Sequence, residues 1–324
     1  MSNSMVVQNR GSGTGREAGP GKGFETGPGA DPHWKPAVGL RRRYWRDRLM
    51  LLLLALTTAL VLVPLFIVIS YVVVQGIGAL NWDFFTQELG SPARAQMNQP
   101  TGLVHTIIGT LVVDALSLLL AVPLGIGAGV MLAEYPDHPL NPLLRLLNDT
   151  LNGMPAILKG LLAFSIIVKP MGTFSGISGA VALTFVMLPI IARATESALT
   201  IIPWSIREAG LALGLPRWRV IVSTIIPAAR VGLATGILLA FARAVGEAAP
   251  LLFTSFGNNY LPSRLSGWLL GPVDTLPQRL YSLAISPYKQ WHEMGWAAGI
   301  ILLLMVVVTF IGARLAVGTG QKRK

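Results

Sequence analysis

Residues 49–75 carry no charged side chain. An apolar run of that length leaves few folds open. Backbone N–H and C=O groups cannot stay unpaired in hydrocarbon, so the segment forms a helix long enough to cross about 30 Å of bilayer with some tilt. Directly before it stand Arg41, Arg42, Arg43, Arg46 and Arg48, interleaved with Tyr44 and Trp45. Such a run is either a nucleic-acid patch or an anchor at an anionic membrane surface, and its position against an apolar span favours the anchor. The span is too long and too basic-flanked to be a cleaved signal peptide.

The rest of the chain agrees. Its 324 residues are 52% hydrophobic and only 13% charged, with a mean hydropathy of +0.58. That composition is too apolar for a soluble domain and points to an integral membrane protein. The net charge of +11 does not call for nucleic acid, because the Lys and Arg residues gather in the amino-terminal tail, in the loop from Arg207 to Arg230 and in the last few residues. With no cysteine there is no disulfide. Residues 1–40, rich in Gly, Ser and Pro, cannot bury enough surface to offset the entropy of ordering and are expected to be a disordered cytoplasmic tail. Residues 41–324 make up the membrane domain.

Five further apolar stretches read as spans: residues 103–133, 143–168, 177–202, 231–256 and 291–317. The fold class is therefore all-α with six transmembrane helices and both termini on the cytoplasmic side of the membrane. Trp82, Phe84 and Phe85 between the first two spans, and the Gly- and Pro-punctuated residues 258–290 between the last two, read as external loops. Asp114 lies inside the second span, as part of an ion path or as a packing carboxylate. Gly153-Met154-Pro155 interrupts the third, which also carries Lys159. That lysine binds an anion or merely extends its amine to the interface. Arg193 and Glu196 share one face of the fourth span, as an interfacial ion pair or as substrate contacts.

The most specific stretch is residues 205–256. Glu208-Ala209-Gly210, three residues, Gly214, nine residues, and Thr224-Ile225-Ile226-Pro227 follow the spacing of the EAA loop of ABC-importer permeases, with Gly210 where a second Ala is usual. Ser205 and Glu208 have the spacing of a capping box, and Gly214-Leu215-Pro216 of a turn, so the loop over residues 203–228 is expected to be a short helix-turn-helix projecting from the membrane. An ordinary interfacial amphipathic helix is the alternative. Next come Arg243 and Glu247, read as one turn apart on one face of an apolar helix. Two ionised groups there cost about 2.5–3.5 kcal/mol each on insertion scales, so they face a partner, a cavity or a substrate path.

Through Ala242-Arg243-Ala244-Val245-Gly246-Glu247-Ala248-Ala249-Pro250-Leu251-Leu252 the segment resembles the PstA-type permeases of phosphate importers. Residues 153–160, GMPAILKG, are similar to a G-x-P-[SA]-I-x-x-G stretch of the same family, with Lys159 replacing an apolar residue. The run from Leu188 to Glu196 resembles it too. The resemblance implies a type I ABC-importer permease architecture and inorganic phosphate as substrate. Arg243, Glu247, Arg193, Glu196 and Lys159 are then residues of the substrate path, and Glu208, Ala209, Gly210, Gly214 and Pro227 couple to an ATPase. It further implies a homologous permease subunit, two ATPase subunits docked on the loop and an extracytoplasmic phosphate-binding protein, all at the cytoplasmic membrane. No phosphate-binding loop of the G-x-x-x-x-G-K-[ST] kind occurs, so ATP is expected to be bound by the partner, with no cofactor in this chain. His33, His105, His138 and His292 are scattered, and neither a metal site nor a catalytic one is expected. A permease for sulfate, molybdate or phosphonate would share the loop, whereas a secondary transporter or channel would need inverted repeats.

Overall fold

A computed structural model describes residues 40–319 apart from Asn98. The expected tail up to residue 39 and the basic cluster at residues 322–324 lie outside the described residues. The chain divides into two compact units, residues 1–62 and 63–324. In the first, the described residues are the amino-terminal part of a single helix, α1 (Leu40–Gly76), which carries Pro64 beyond the division. The second unit is all-helical among its described residues.

Its principal helices are α2 (Val104–Glu134), α3 (Asn141–Gly153), α4 (Ala156–Ala163), α5 (Gly176–Thr200), α6 (Trp204–Ala212), α7 (Arg217–Val220), α8 (Arg230–Val245), α9 (Ala249–Leu252), α10 (Leu276–Ala284) and α11 (Lys289–Thr319). By length and composition α1, α2, α5 and α11 can each cross a membrane. Residues 141–171 and 217–245 pass the same test only as bent pairs, and counting each pair as one span gives six.

α2 and α5 form the centre. A Cβ on Gly129 would stand 2.4 Å from Cβ of Thr195, and one on Gly125 would stand 2.7 Å from Cβ of Ile191. These small residues therefore let the two helices approach without intervening side chains, as packing in lipid requires. Ala121, Met187, Ile191, Ala240 and Ala244 extend the contact to α8. α5 begins at a capping box in which the Ser175 and Ser178 side chains each accept the other residue's backbone N–H, satisfying donors that a helix start leaves free.

Three expectations change. The span expected over residues 143–168 is not one helix, because the chain turns by 116° between α3 and the 156–171 segment. Pro155, fixed at φ −53° and extended in ψ, ends α3 and starts α4. The span expected over 231–256 stops at Val245, and Glu247 and Ala248 lie in a non-helical link before α9. The link runs from Gly246 to the opening of α9, where Pro250 takes a position that suits a helix start and not a helix interior. Finally, the loop after Asn258 folds back into the bundle. Val273, Asp274, Thr275 and Leu276 are buried, and the Leu276 N–H donates to the Thr110 hydroxyl on α2.

Candidate functional site

Lys159, Arg243 and Glu247 come together. Arg243 stands in the last turn of α8, where the helix C-terminus favours a cation. Glu247 is past the end of that helix, yet its Oε1 remains 3.7 Å from the Arg243 Nε. The expectation of one continuous helical face is thus corrected, although the pairing survives. Irregular backbone at membrane depth is tolerated where it is buried in protein or lines a water-filled cavity. Across from it Lys159 on α4 is 3% exposed and interacts electrostatically with both groups, repelled by Arg243 and attracted by Glu247. Contact between the two segments is direct, since Gly160 packs on the Pro250 backbone. The cluster holds two cations and one anion, an excess of one positive charge beside a helix break, and the Arg243 side chain is 60% exposed. An open guanidinium fork in that setting can bind a tetrahedral oxyanion through two parallel hydrogen bonds.

Arg193 and Glu196 fall in a second group. They do not bond to each other. Arg193 Nη2 lies 2.5 Å from Asp149 Oδ1, and Glu196 Oε1 accepts from Arg145 Nη2 at 2.7 Å. Both partners belong to α3, whose polar face therefore lies along α5 while Leu143, Leu146 and Leu147 face outward. With Leu132, Asn148 and Ser197 these four residues line a cavity of about 280 Å³. Among the described residues no ion pair or hydrogen bond joins this group to the Arg243 cluster. Asp114 is buried on α2.

The loop over residues 203–228 folds as the expected helix-turn-helix, with one correction at its start. α6 opens at Trp204 with Pro203 as N-cap and no side-chain cap bond, so Ser205 sits inside the first turn and the capping box does not form. Proline there both ends α5 and presets the backbone for α6. Gly214 adopts φ +76° in the turn, which a residue with a Cβ adopts only at a cost. Gly210 faces α7, where an added Cβ would meet both Val220 methyls at 2.9 Å. That contact accounts for glycine at this place in the motif. Glu208 and Ala209 are exposed, beside Trp204, Leu211, Leu213 and Trp218, each exposed as well. Pro227 follows a π turn over Ile221–Ile225, a widening that accommodates a residue with no N–H to donate.

Two buried polar networks have almost no local signature in the sequence. At the α6 end, Glu134 and Arg207 form a bidentate pair, with Arg207 Nη2 to Oε1 at 2.6 Å and Nε to Oε2 at 2.9 Å. The only local signal was an acid closing an apolar helix, where the dipole disfavours it. At the opposite end of α2, Asp274 pairs with Arg279 and lies 3.6 Å from Nε2 of His105. The returning segment is thereby held inside the bundle.

Residues 125–317 match the model of the family described as "Binding-protein-dependent transport system inner membrane component". Among similar proteins, the "Phosphate transport system permease protein PstA" of Xylella fastidiosa is 38% identical over 242 residues, covering 74% of this chain and 81% of that protein. The protein of the same name from Haemophilus influenzae is 36% identical over 278 residues, covering 85% and 95%. A solved structure of a bacterial alginate ABC transporter shares the fold, with a TM-score of 0.58 at 14% identity over 85% of this chain and 96% of that one. The six-span count, the helix-turn-helix loop and these matches agree, and the chain belongs to the binding-protein-dependent transport system inner membrane components, on their PstA-type branch.

Proposed function

We propose that the chain is the transmembrane permease subunit of an ATP-driven importer that carries inorganic phosphate across the cytoplasmic membrane. The observation that carries this reading is the group of Arg243, Glu247 and Lys159 at a break between apolar helices. Phosphate near neutral pH keeps at least one proton. It can accept from Arg243 and donate to Glu247, whereas fully ionised sulfate can only be repelled by the carboxylate. The names of the relatives from Xylella fastidiosa and Haemophilus influenzae support phosphate over other oxyanions.

In this reading Lys159 adds positive potential behind the clamp, and Arg193 and Glu196 lie along the same path nearer the 203–228 loop. ATP is hydrolysed by two partner ATPase subunits, one of which receives the exposed face of α6 around Glu208 and Ala209. Gly210, Gly214 and Pro227 give the loop its shape. A homologous permease subunit completes the pathway, an extracytoplasmic phosphate-binding protein delivers the substrate, and both termini of the chain are cytoplasmic. The test is uptake of radiolabelled phosphate by membrane vesicles containing the assembled complex, with ATP supplied on the cytoplasmic side. Uptake that requires ATP and is not competed by sulfate is expected. Competition by sulfate would reassign the substrate, and uptake without ATP would indicate a channel or secondary transporter.

A further inference from the structure

Arg207 occupies an unusual place for a loop arginine. It is 6% exposed, and its partner Glu134 is 1% exposed. All three nitrogens of the guanidinium donate. Nε and Nη2 take the two Glu134 oxygens, Nη1 donates to the Ile202 carbonyl at 2.7 Å, and Nη2 also donates to the Leu199 carbonyl at 2.9 Å. One side chain of α6 is therefore bonded to the last residue of α2 and to carbonyls at the end of α5. A cation there complements the C-terminal dipoles of both helices and satisfies carbonyls that a helix end leaves free. Arg217 of α7 adds a second hold on the same point. It donates to the Glu134 backbone carbonyl and stacks over the Tyr135 ring at 4.5 Å.

From this joint α2 and α5 run together, locked by the Gly125 and Gly129 contacts, and α5 carries Arg193 and Glu196 one to two turns before its end. Glu208, the neighbour of Arg207, points outward. Within two consecutive residues α6 thus has one outward group on its exposed face and one group riveted to the bundle.

We infer that Glu134 and Arg207 are positioning residues that make α6, α2 and α5 one rigid lever, so that displacement of α6 by an ATPase is delivered to the central helix pair. The inference rests on the ATP-driven importer reading. A bidentate, buried ion pair resists bending in a way that a surface contact does not, and interiors packed this tightly respond as units.

The experiment uses the whole transporter in proteoliposomes, reading both ATP hydrolysis and phosphate uptake. Glu134→Gln keeps the side-chain shape and removes the charge. Because an unpaired buried Arg207 can prevent folding, the double variant Glu134→Met with Arg207→Met removes both partners. Either assembled variant is expected to hydrolyse ATP at the unstimulated wild-type rate, to lose stimulation by substrate and to lose uptake by about tenfold. A merely structural pair would lower assembly and leave the stimulation ratio unchanged, and that result overturns the inference. A third arm needs neither substitution. The chain has no cysteine, so spin labels at Ser205→Cys and Leu124→Cys report the distance between α6 and α2 in an otherwise unaltered protein. That distance should hold between nucleotide-free and ATP-bound states to within about half a helical turn, ~2.7 Å, and a larger change overturns the lever. Wild-type complex without substrate-stimulated hydrolysis would instead overturn the importer reading and the lever with it. Stimulation retained in wild type and variants alike overturns the lever alone.

Discussion

Gly160 rests on Pro250 so closely that a Cβ on the glycine would lie 2.7 Å from the proline Cα and 2.8 Å from its carbonyl oxygen. Backbone cannot swing aside as a side-chain tip can. Gly160→Ala should therefore push α4 away from α9 and separate Lys159 from Arg243 and Glu247, at an overpacking cost of about 1–3 kcal/mol. Gly153, seven residues earlier in the same motif, has open space around its would-be Cβ. Gly153→Ala serves as the control. Thermal unfolding of the purified complex should drop for Gly160→Ala and stay level for Gly153→Ala, with phosphate uptake following the same order. Equal behaviour of the two variants would show that the contact does not matter.

Gly214 provides a second test. Its φ of +76° is the left-handed region, where a Cβ costs roughly 1–2 kcal/mol, and no neighbouring atom lies near the would-be Cβ. Gly214→Val should therefore act through backbone conformation alone. The turn between α6 and α7 would change direction, and ATP hydrolysis by the assembled complex should lose its stimulation by phosphate. Gly214→Asn, better tolerated in that region, should keep most of it. Full stimulation in the valine variant would argue against a coupling role for this turn.

What the sequence made legible is what can be read along one dimension. The four single-helix spans, the Gly214 turn and an interruption at Gly153-Met154-Pro155 follow from hydropathy or from the backbone limits of Gly and Pro, whereas the 116° turn of the chain at that interruption does not. The place of Glu247 beyond the helix is not legible, because the apolar residues around it continue the helical pattern unbroken. Only Gly246 and Pro250 hinted at an end, and either is also found inside membrane helices. The partners of Arg193 and Glu196 are illegible for a similar reason. A shared helical face says which residues are neighbours, not that a helix such as α3 will supply acids and bases for both. Glu134 and Arg207 are 73 residues apart, a pairing no local pattern encodes.

Of the two bridges between α3 and α5, Arg193 with Asp149 joins two exposed side chains, whereas Arg145 is exposed and its partner Glu196 is half-buried. An exposed pair such as Arg193 with Asp149 stabilises by about 0–1 kcal/mol. Asp149→Asn should accordingly leave unfolding of the complex nearly unchanged and free Arg193 from its carboxylate. Should Arg193 serve the phosphate path, Arg193→Gln will lower uptake strongly while Asp149→Asn will not. A purely interfacial bridge predicts equal, small effects. Parallel measurements of uptake and unfolding on the two variants separate these outcomes.

Arg243 and Glu247 permit the sharpest test, because the two residues are expected to fail differently. Arg243 has an exposed fork and a carboxylate 3.7 Å away, so an arriving anion can exchange for Glu247 without leaving the cation bare. Lysine keeps the charge but offers a point donor in place of two parallel N–H groups. Arg243→Lys should lose one charge-assisted hydrogen bond, about 1.5–3 kcal/mol, or on the order of 10- to 100-fold in the uptake rate at low phosphate. The complex should still assemble and hydrolyse ATP. Glu247→Gln should do something else. The amide can donate as well as accept, so repulsion of sulfate disappears, and sulfate should begin to compete with phosphate for uptake. An intramembrane packing bridge predicts neither result, since it would tolerate lysine and be indifferent to which anion is outside. Uptake measured for Arg243→Lys, Arg243→Ala and Glu247→Gln, each with and without excess sulfate, distinguishes the readings. Unchanged uptake by a well-assembled Arg243→Ala complex would remove Arg243 from the path.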